Sequence, residues 1–193
     1  MGAKSLRASA FHEAGHVATG IAIGLGMPDA LELDRRRGSL ARIAWNYNPL
    51  HGGTPRELLA VHLLAGYVSE CRARGWRRVD AVTFCERRSA WIDGRPVADR
   101  IRPAWWSKHA DIDHLAVLYS SERKPRPLRP DILRRLWDQT LGVIESPRVW
   151  EPLVDLANRA LKHGRLDRGR LYDWQERFPQ LENALLTERA PRR

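Results

Sequence analysis

The chain has 193 residues, 43% of them hydrophobic, with a formal net charge of +10 and a pI of about 10.5. That length fits one domain or a domain with a small appendage, and that apolar content excludes a wholly disordered chain. Two cysteines, Cys71 and Cys85, are too few for a disulfide framework, match no common zinc spacing and suit a reducing, cytoplasmic setting.

In chain order, "MGAKSLRASA" runs into a charged motif without an apolar core, so no signal peptide is expected. Leu6 stands where a myristoylation signal carries Ser or Thr. A first helix is predicted over 5–25, with Ala8, Phe11, Ala14, Gly15, Ala18 and Ala22 at helical spacing and Pro28 closing the segment. Its most apolar part, "VATGIAIGLGM", falls well short of the roughly 20 residues that span a bilayer, so no membrane anchor is expected.

"ALELDRRRGSLARIAW" alternates at period two and predicts two short strands around a turn at Arg37-Gly38; "NYNPLHGG" reads as a loop. "TPRELLAVHLLAGYVSECRAR" predicts a helix with Thr54 as N-cap, Pro55 at the first helical position and Glu57 completing a capping box. Its apolar face is Leu58, Val61, Leu64, Ala65 and Val68.

Residues 75–106, with Trp76, Trp91, Trp105 and Trp106, carry no regular pattern: a tryptophan-rich satellite core or a substrate-selecting element fits them. A helix is predicted over about 108–121, with Ser107 as cap, and "KPRPLRP" is a connector. "DILRRLWDQTLGVIE" and "PRVWEPLVDLANRALKHG" are amphipathic helices, the second stopped by Gly164. A short helix around "RGRLYDWQERF" and a polar tail follow. The expected fold class is mainly α with a small β-sheet (α+β).

The chemistry concentrates in "SAFHEAGHVATG", residues 9–20. On a helix, His12 and His16 share a face one turn apart and can present two imidazole nitrogens to one Zn2+ at about 2.0–2.1 Å each. Glu13, about 100° around the helix, is placed to act as general base toward a metal-activated water, the logic of the HExxH zinc peptidases. Ala14 and Gly15 leave room for another backbone to pack closely against this helix.

"AFHEAGHVATG" resembles the HEAGH signature of the FtsH-type zinc metallopeptidases, the protease half of membrane-anchored AAA proteases. "LLAVHLLAGYVSE" resembles that family's small-residue second helix. "SKHADIDHLAVLYS" resembles the helix that supplies an aspartate ligand, and "LVDLANRALKHGRLDRGRL" its closing helix and turn. Together these stretches cover most of residues 7–175.

The resemblance implies a zincin-like metal helix within an FtsH-type helical bundle. It also implies Zn2+ held by His12, His16 and Asp111, with Glu13 as catalytic base. Asp113 sits two residues beyond Asp111, nearly opposite on a helix, so only one of the two faces the metal. Asp113, His109, His114 and Glu70 remain alternatives as third ligand, Glu70 more naturally orienting a ligand or pairing with an arginine.

On this reading residues 1–122 form the zinc-binding catalytic core, and 123–193 the C-terminal helical part of the same peptidase domain with its polar tail. No GxxxxGK[ST] stretch is present, so such a domain would cut flexible or unfolded segments without ATP hydrolysis of its own.

Two other function classes stay open. One is a zinc-stapled, catalytically idle interaction domain. The other is a nucleic-acid-associated regulator built on clusters such as "DRRRG", "CRARGWRR" and "RKPRPLRP", for which a solvated arginine-rich surface is the simpler account. The expected partners are a protein or peptide substrate, with an acidic partner, nucleic acid or further copies of the chain left open.

Overall fold

The computed structural model describes residues 3–34, 40–44, 54–76, 110–119, 129–182 and 184–187. Among these residues the fold is mainly helical with one small antiparallel sheet. Helix α1 (Ala3–Ala22) is followed by strands β1 (Ala30–Asp34) and β2 (Leu40–Ala44), then helix α2 (Arg56–Ala73) and helix α3 (Ala110–Tyr119). Helices α4 (Pro130–Glu145) and α5 (Pro147–His163) form a tight pair joined through Ser146. Strand β3 (Arg165–Asp167), helix α6 (Arg168–Glu176), a 3-10 turn (Pro179–Leu181) and helix α7 (Ala184–Thr187) complete the order.

Local chemistry explains most of these boundaries. Proline opens both α4 and α5, where its missing N–H costs nothing and its φ is already helical. Gly24 and Gly75 end α1 and α2 at φ of 77° and 66°, each donating three residues back. The next residues, Leu25 and Trp76, reach back five, to the carbonyls of Gly20 and Cys71. Both are Schellman stops that a side chain with Cβ would strain. Asp167 caps α6 by accepting from the Arg170 N–H at 3.0 Å.

The capping box expected at α2 is not formed. Pro55 itself is the N-cap, with no side-chain cap hydrogen bond, and the helix begins at Arg56, so Thr54 lies outside it. The prolyl ring holds the chain extended at φ −53° and ψ 133°, which delays the first helical turn by one residue.

The sheet order is β2-β1-β3, antiparallel throughout. The register pairs Ala30 with Ala44 and Asp34 with Leu40; the turn expected at Arg37-Gly38 lies outside the described residues. So do the loop at 46–53, nearly all of 75–106 with Trp91, Trp105 and Trp106, and the proposed cap Ser107. Strand β3 carries no periodic signal at three residues, and no strand was expected there. It forms because Gly164 turns the chain back beneath β1, where Leu166 pairs with Leu31 and both are buried.

Helix α2 is the central element. It packs along α1 and against α3 and α4, and α5 covers another side of α1. Residues Leu58 through Ser69 are all buried, so the one-faced pattern read from the sequence underestimates how far α2 is enclosed. One core joins α1, α2, α4, α5 and α6 around Phe11, Leu64, Trp137, Leu153 and Trp174. Among the described residues, no helix is long and apolar enough to cross a membrane.

Candidate metal centre

The closest approach of α1 and α2 builds the site. A Cβ on Gly15 would lie 2.6 Å from the Ala65 carbonyl oxygen and 2.5 Å from Ser69 Oγ. A Cβ on Gly66 would collide with His16 Nε2 and stand 2.8 Å from both Cε1 and Nε2 of His12. The two glycines therefore let the helix backbones touch, and α2 forms a wall against both imidazoles. The space that Ala14-Gly15 was expected to leave is filled by the backbone of α2.

Three donor atoms converge in front of that wall. His12 Nε2 lies 3.2 Å from Asp111 Oδ2, His16 Nε2 lies 3.3 Å from the same oxygen, and the two Nε2 atoms are 3.3 Å apart. Tetrahedral zinc with bonds of about 2.0–2.1 Å separates its ligand atoms by about 3.3–3.4 Å, so this near-equilateral triangle has the span of three corners of such a site. The donor set, two imidazoles and one carboxylate, is also one that zinc takes with a position left over for water or substrate. The residues fit the ion.

Among the described residues, His12, His16 and Asp111 form the one group of histidine, cysteine and acidic side chains able to hold a metal. Exposure rises from His16 (7%) through His12 (17%) to Asp111 (25%), so the triangle has its deep corner at His16 and its shallow one on α3. Glu70, named as an alternative ligand, lies behind His12; His114 is exposed on α3. The side chain of Asp113 and all of His109 lie outside the described residues.

Each imidazole is held from behind through its other nitrogen. His16 Nδ1 donates to the His62 carbonyl at 2.8 Å, and His12 Nδ1 faces Glu70 Oε2 at 3.6 Å. Glu70 in turn pairs with Arg74 at 2.6 Å, so it stands between His12 and an arginine. The bond to the carbonyl commits His16 Nδ1 as a donor and leaves the His16 Nε2 lone pair for the triangle, and the Glu70 carboxylate beside His12 Nδ1 favours a proton on that nitrogen when His12 is neutral. Tyr67 adds an edge-on ring contact to His12, with centroids 4.9 Å apart.

The electrostatics favour a cation at this point. Burial opposes charge on His12, but hydrogen bonds to Asp111 and Glu70, with the charges of Glu13 and Asp111, lift its imidazole to about 10. Burial likewise pushes Asp111 up, yet the charge of His16 and the hydrogen bonds of both histidines hold it well below the usual carboxylate range. The field that stabilises a proton on His12 would equally stabilise a divalent ion competing with that proton.

Glu13 is half-buried beside the triangle. Burial raises its carboxyl, the two histidines pull it down and Asp111 raises it again, leaving it more basic than an exposed glutamate. That suits a group that must take up and release a proton near neutrality.

The sequence reading singled out neither His62 nor Thr19. Both are buried. The available signal was the Ala65-Gly66 pair, which marks the side of α2 that meets α1. Comparison of the chain with family models, with curated proteins and with solved structures finds no match.

Proposed function

We propose that this chain is a zinc-dependent endopeptidase of the FtsH-like kind, acting on flexible or unfolded protein segments, with its helices arranged as an FtsH-type peptidase-domain bundle. The observation that carries the reading is the triangle of His12 Nε2, His16 Nε2 and Asp111 Oδ2, with edges of 3.2–3.3 Å, whose two histidine corners lie on the helix that also carries Glu13. A bound zinc ion would polarise a peptide carbonyl and make a water molecule acidic near neutral pH.

The chain's own residues supply the rest of the chemistry. His12, His16 and Asp111 would hold the ion, with Glu70 and the His62 carbonyl behind the two imidazoles. Glu13 takes the proton of the attacking water and delivers it to the departing amine, which its raised basicity favours. Strand β2 pairs with β1 on one side, and among the described residues no strand pairs with its other edge. An extended peptide can add there through main-chain hydrogen bonds, which suits an unfolded substrate better than a folded one.

The nucleic-acid reading draws no support from the described residues, whose basic and acidic side chains nearly balance. The positive excess lies in 35–39, 77–109, 120–128 and 188–193.

The test pairs metal content with turnover of a dye-labelled unfolded protein. Wild type is expected to hold about one zinc per chain and cleave; Asp111→Ala is expected to lose the metal, and Glu13→Gln to keep it while losing at least about 100-fold in rate. Zinc bound without any cleavage would instead favour the idle, metal-stapled domain. No zinc after reconstitution would remove both readings.

A further inference from the structure

His62 is a buried imidazole that the metal centre does not consume as a ligand. Its position on α2 faces α1 at the closest approach of the two helices, where a leucine would fill the space without burying polar atoms. Its hydrogen bonds explain why a histidine stands there.

The Thr19 hydroxyl lies 2.7 Å from the Gly15 carbonyl, an oxygen that can only accept, so the single hydroxyl proton is committed to that bond. Thr19 Oγ1 also lies 3.3 Å from His62 Nδ1, and with its proton spent the threonine can only accept there. His62 Nδ1 must therefore carry the proton. The His62 ring is thereby tied to α1 through Thr19, three residues beyond His16. In return, the His16 ring donates through Nδ1 to the His62 carbonyl at 2.8 Å. Each ring thus ties its own helix to the other, His16 to the main chain of His62 and His62 to the side chain of Thr19, with the rings edge-on at 5.3 Å between centroids.

We propose that His62 is a positioning residue for the metal centre: as the Nδ1–H tautomer, its ring clasps the turn of α1 that carries His16 and fixes the angle at which His16 Nε2 enters the triangle. The inference rests on the metal-centre reading and deepens it. A ligand whose other nitrogen is anchored to a main chain is only as well aimed as that main chain is fixed. The clasp ties the His62 carbonyl to the helix that bears His16, so neither helix can turn about its axis without breaking two bonds.

The first readout uses the wild-type apoprotein alone. Two-bond 1H–15N correlation of the histidine rings is expected to show His62 in the Nδ1–H form at neutral pH, and an Nε2–H form overturns the proposal. The second is zinc affinity by competition with a chromophoric chelator, alongside the visible spectrum of the Co2+-loaded protein.

Here His62→Leu is expected to lose roughly 10–100-fold in affinity and to shift the cobalt bands. His62→Asn places an amide N–H near the Nδ1 position and is expected to stay within about threefold of wild type. A residue that merely fills space would lower the melting temperature without moving the cobalt spectrum, and asparagine would not rescue it.

Equal zinc affinity and an equal spectrum in His62→Leu overturn the proposal, as does an asparagine variant as damaged as the leucine one. If His62→Leu does not fold, Thr19→Val, which removes an acceptor of the same proton, takes its place, and an unchanged spectrum there counts against the clasp. A wild type that binds no zinc removes the metal-centre reading itself, an outcome distinct from wild type and variant binding zinc alike.

Discussion

Glu70 lies behind the His12 imidazole, its Oε2 3.6 Å from Nδ1 on one side and its other oxygen held by Arg74 on the other. Burial raises its carboxyl, but the hydrogen bond and charge of His12, then Arg74, bring it below the usual carboxylate range, so it stays an anion. When a metal ion displaces the proton from Nε2, an anion there favours the proton that stays on Nδ1. Glu70→Ala is therefore expected to weaken zinc binding by roughly 10–100-fold while leaving Glu13 in place, measured by the same competition titration. Unchanged affinity would mean that Tyr67 and the wall of α2 suffice to aim the ring.

Its neighbour Cys71 illustrates the opposite use of burial. Desolvation and the charge of Glu70 push its thiol up to about 12 against the pull of Arg74, so it is inert packing beneath the site. With Cys85 replaced by serine, Cys71 is expected to react with a disulfide reagent at least about a hundredfold faster in denaturant than in the native protein. Comparable rates would show that the lower end of α2 opens readily.

At the scale of elements, the structure depends on how closely α1 and α2 approach. Gly66→Ala would drive a methyl group into both imidazoles. It is expected to cost about 1–3 kcal/mol of stability as the helices separate, and to reduce zinc affinity with it. Gly142 is the contrasting case: it is exposed in the last turn of α4, and a Cβ there would meet nothing within 4 Å. Gly142→Ala is expected to stabilise the protein by about 0.5–1 kcal/mol, because alanine loses less backbone entropy in a helix. Denaturant midpoints of the two variants check both signs.

The elements also show what a sequence can carry. Helices α1, α4 and α5 were readable from local signals: apolar spacing in all three, Pro28 beyond the end of α1 and Gly164 at the end of α5. The start of α2 was misread because Thr54, Pro55 and Glu57 satisfy a capping pattern that the proline then pre-empts. Strand β3 escaped because it gains its stability from β1, more than 130 residues earlier, and not from its own residues.

The site divides along the same line. His12, Glu13 and His16 were legible because a metal needs set residue types at one helical spacing. Asp111, 99 residues away from His12, could be named only through the resemblance. His62 was invisible, since within an apolar helix it reads as one more enclosed residue.

For the whole molecule, the ion would act as a crosslink. His12 and His16 come from the first helix and Asp111 from a helix that follows a long intervening segment, so binding joins parts of the chain that no local structure connects. A ligand that binds only the folded state adds about 2.7 kcal/mol when its free concentration is 100 times its dissociation constant. For a chain of this size that corresponds to a rise of about 5–10 °C in melting temperature. Asp111→Ala is expected to abolish the rise, and Glu13→Gln, which leaves all three donors intact, to retain it. Melting wild type and both variants with zinc and with excess chelator separates holding the ion from using it. A rise that survived Asp111→Ala would move the third ligand to another residue, and loss of the rise in Glu13→Gln would make Glu13 a ligand and no longer the base.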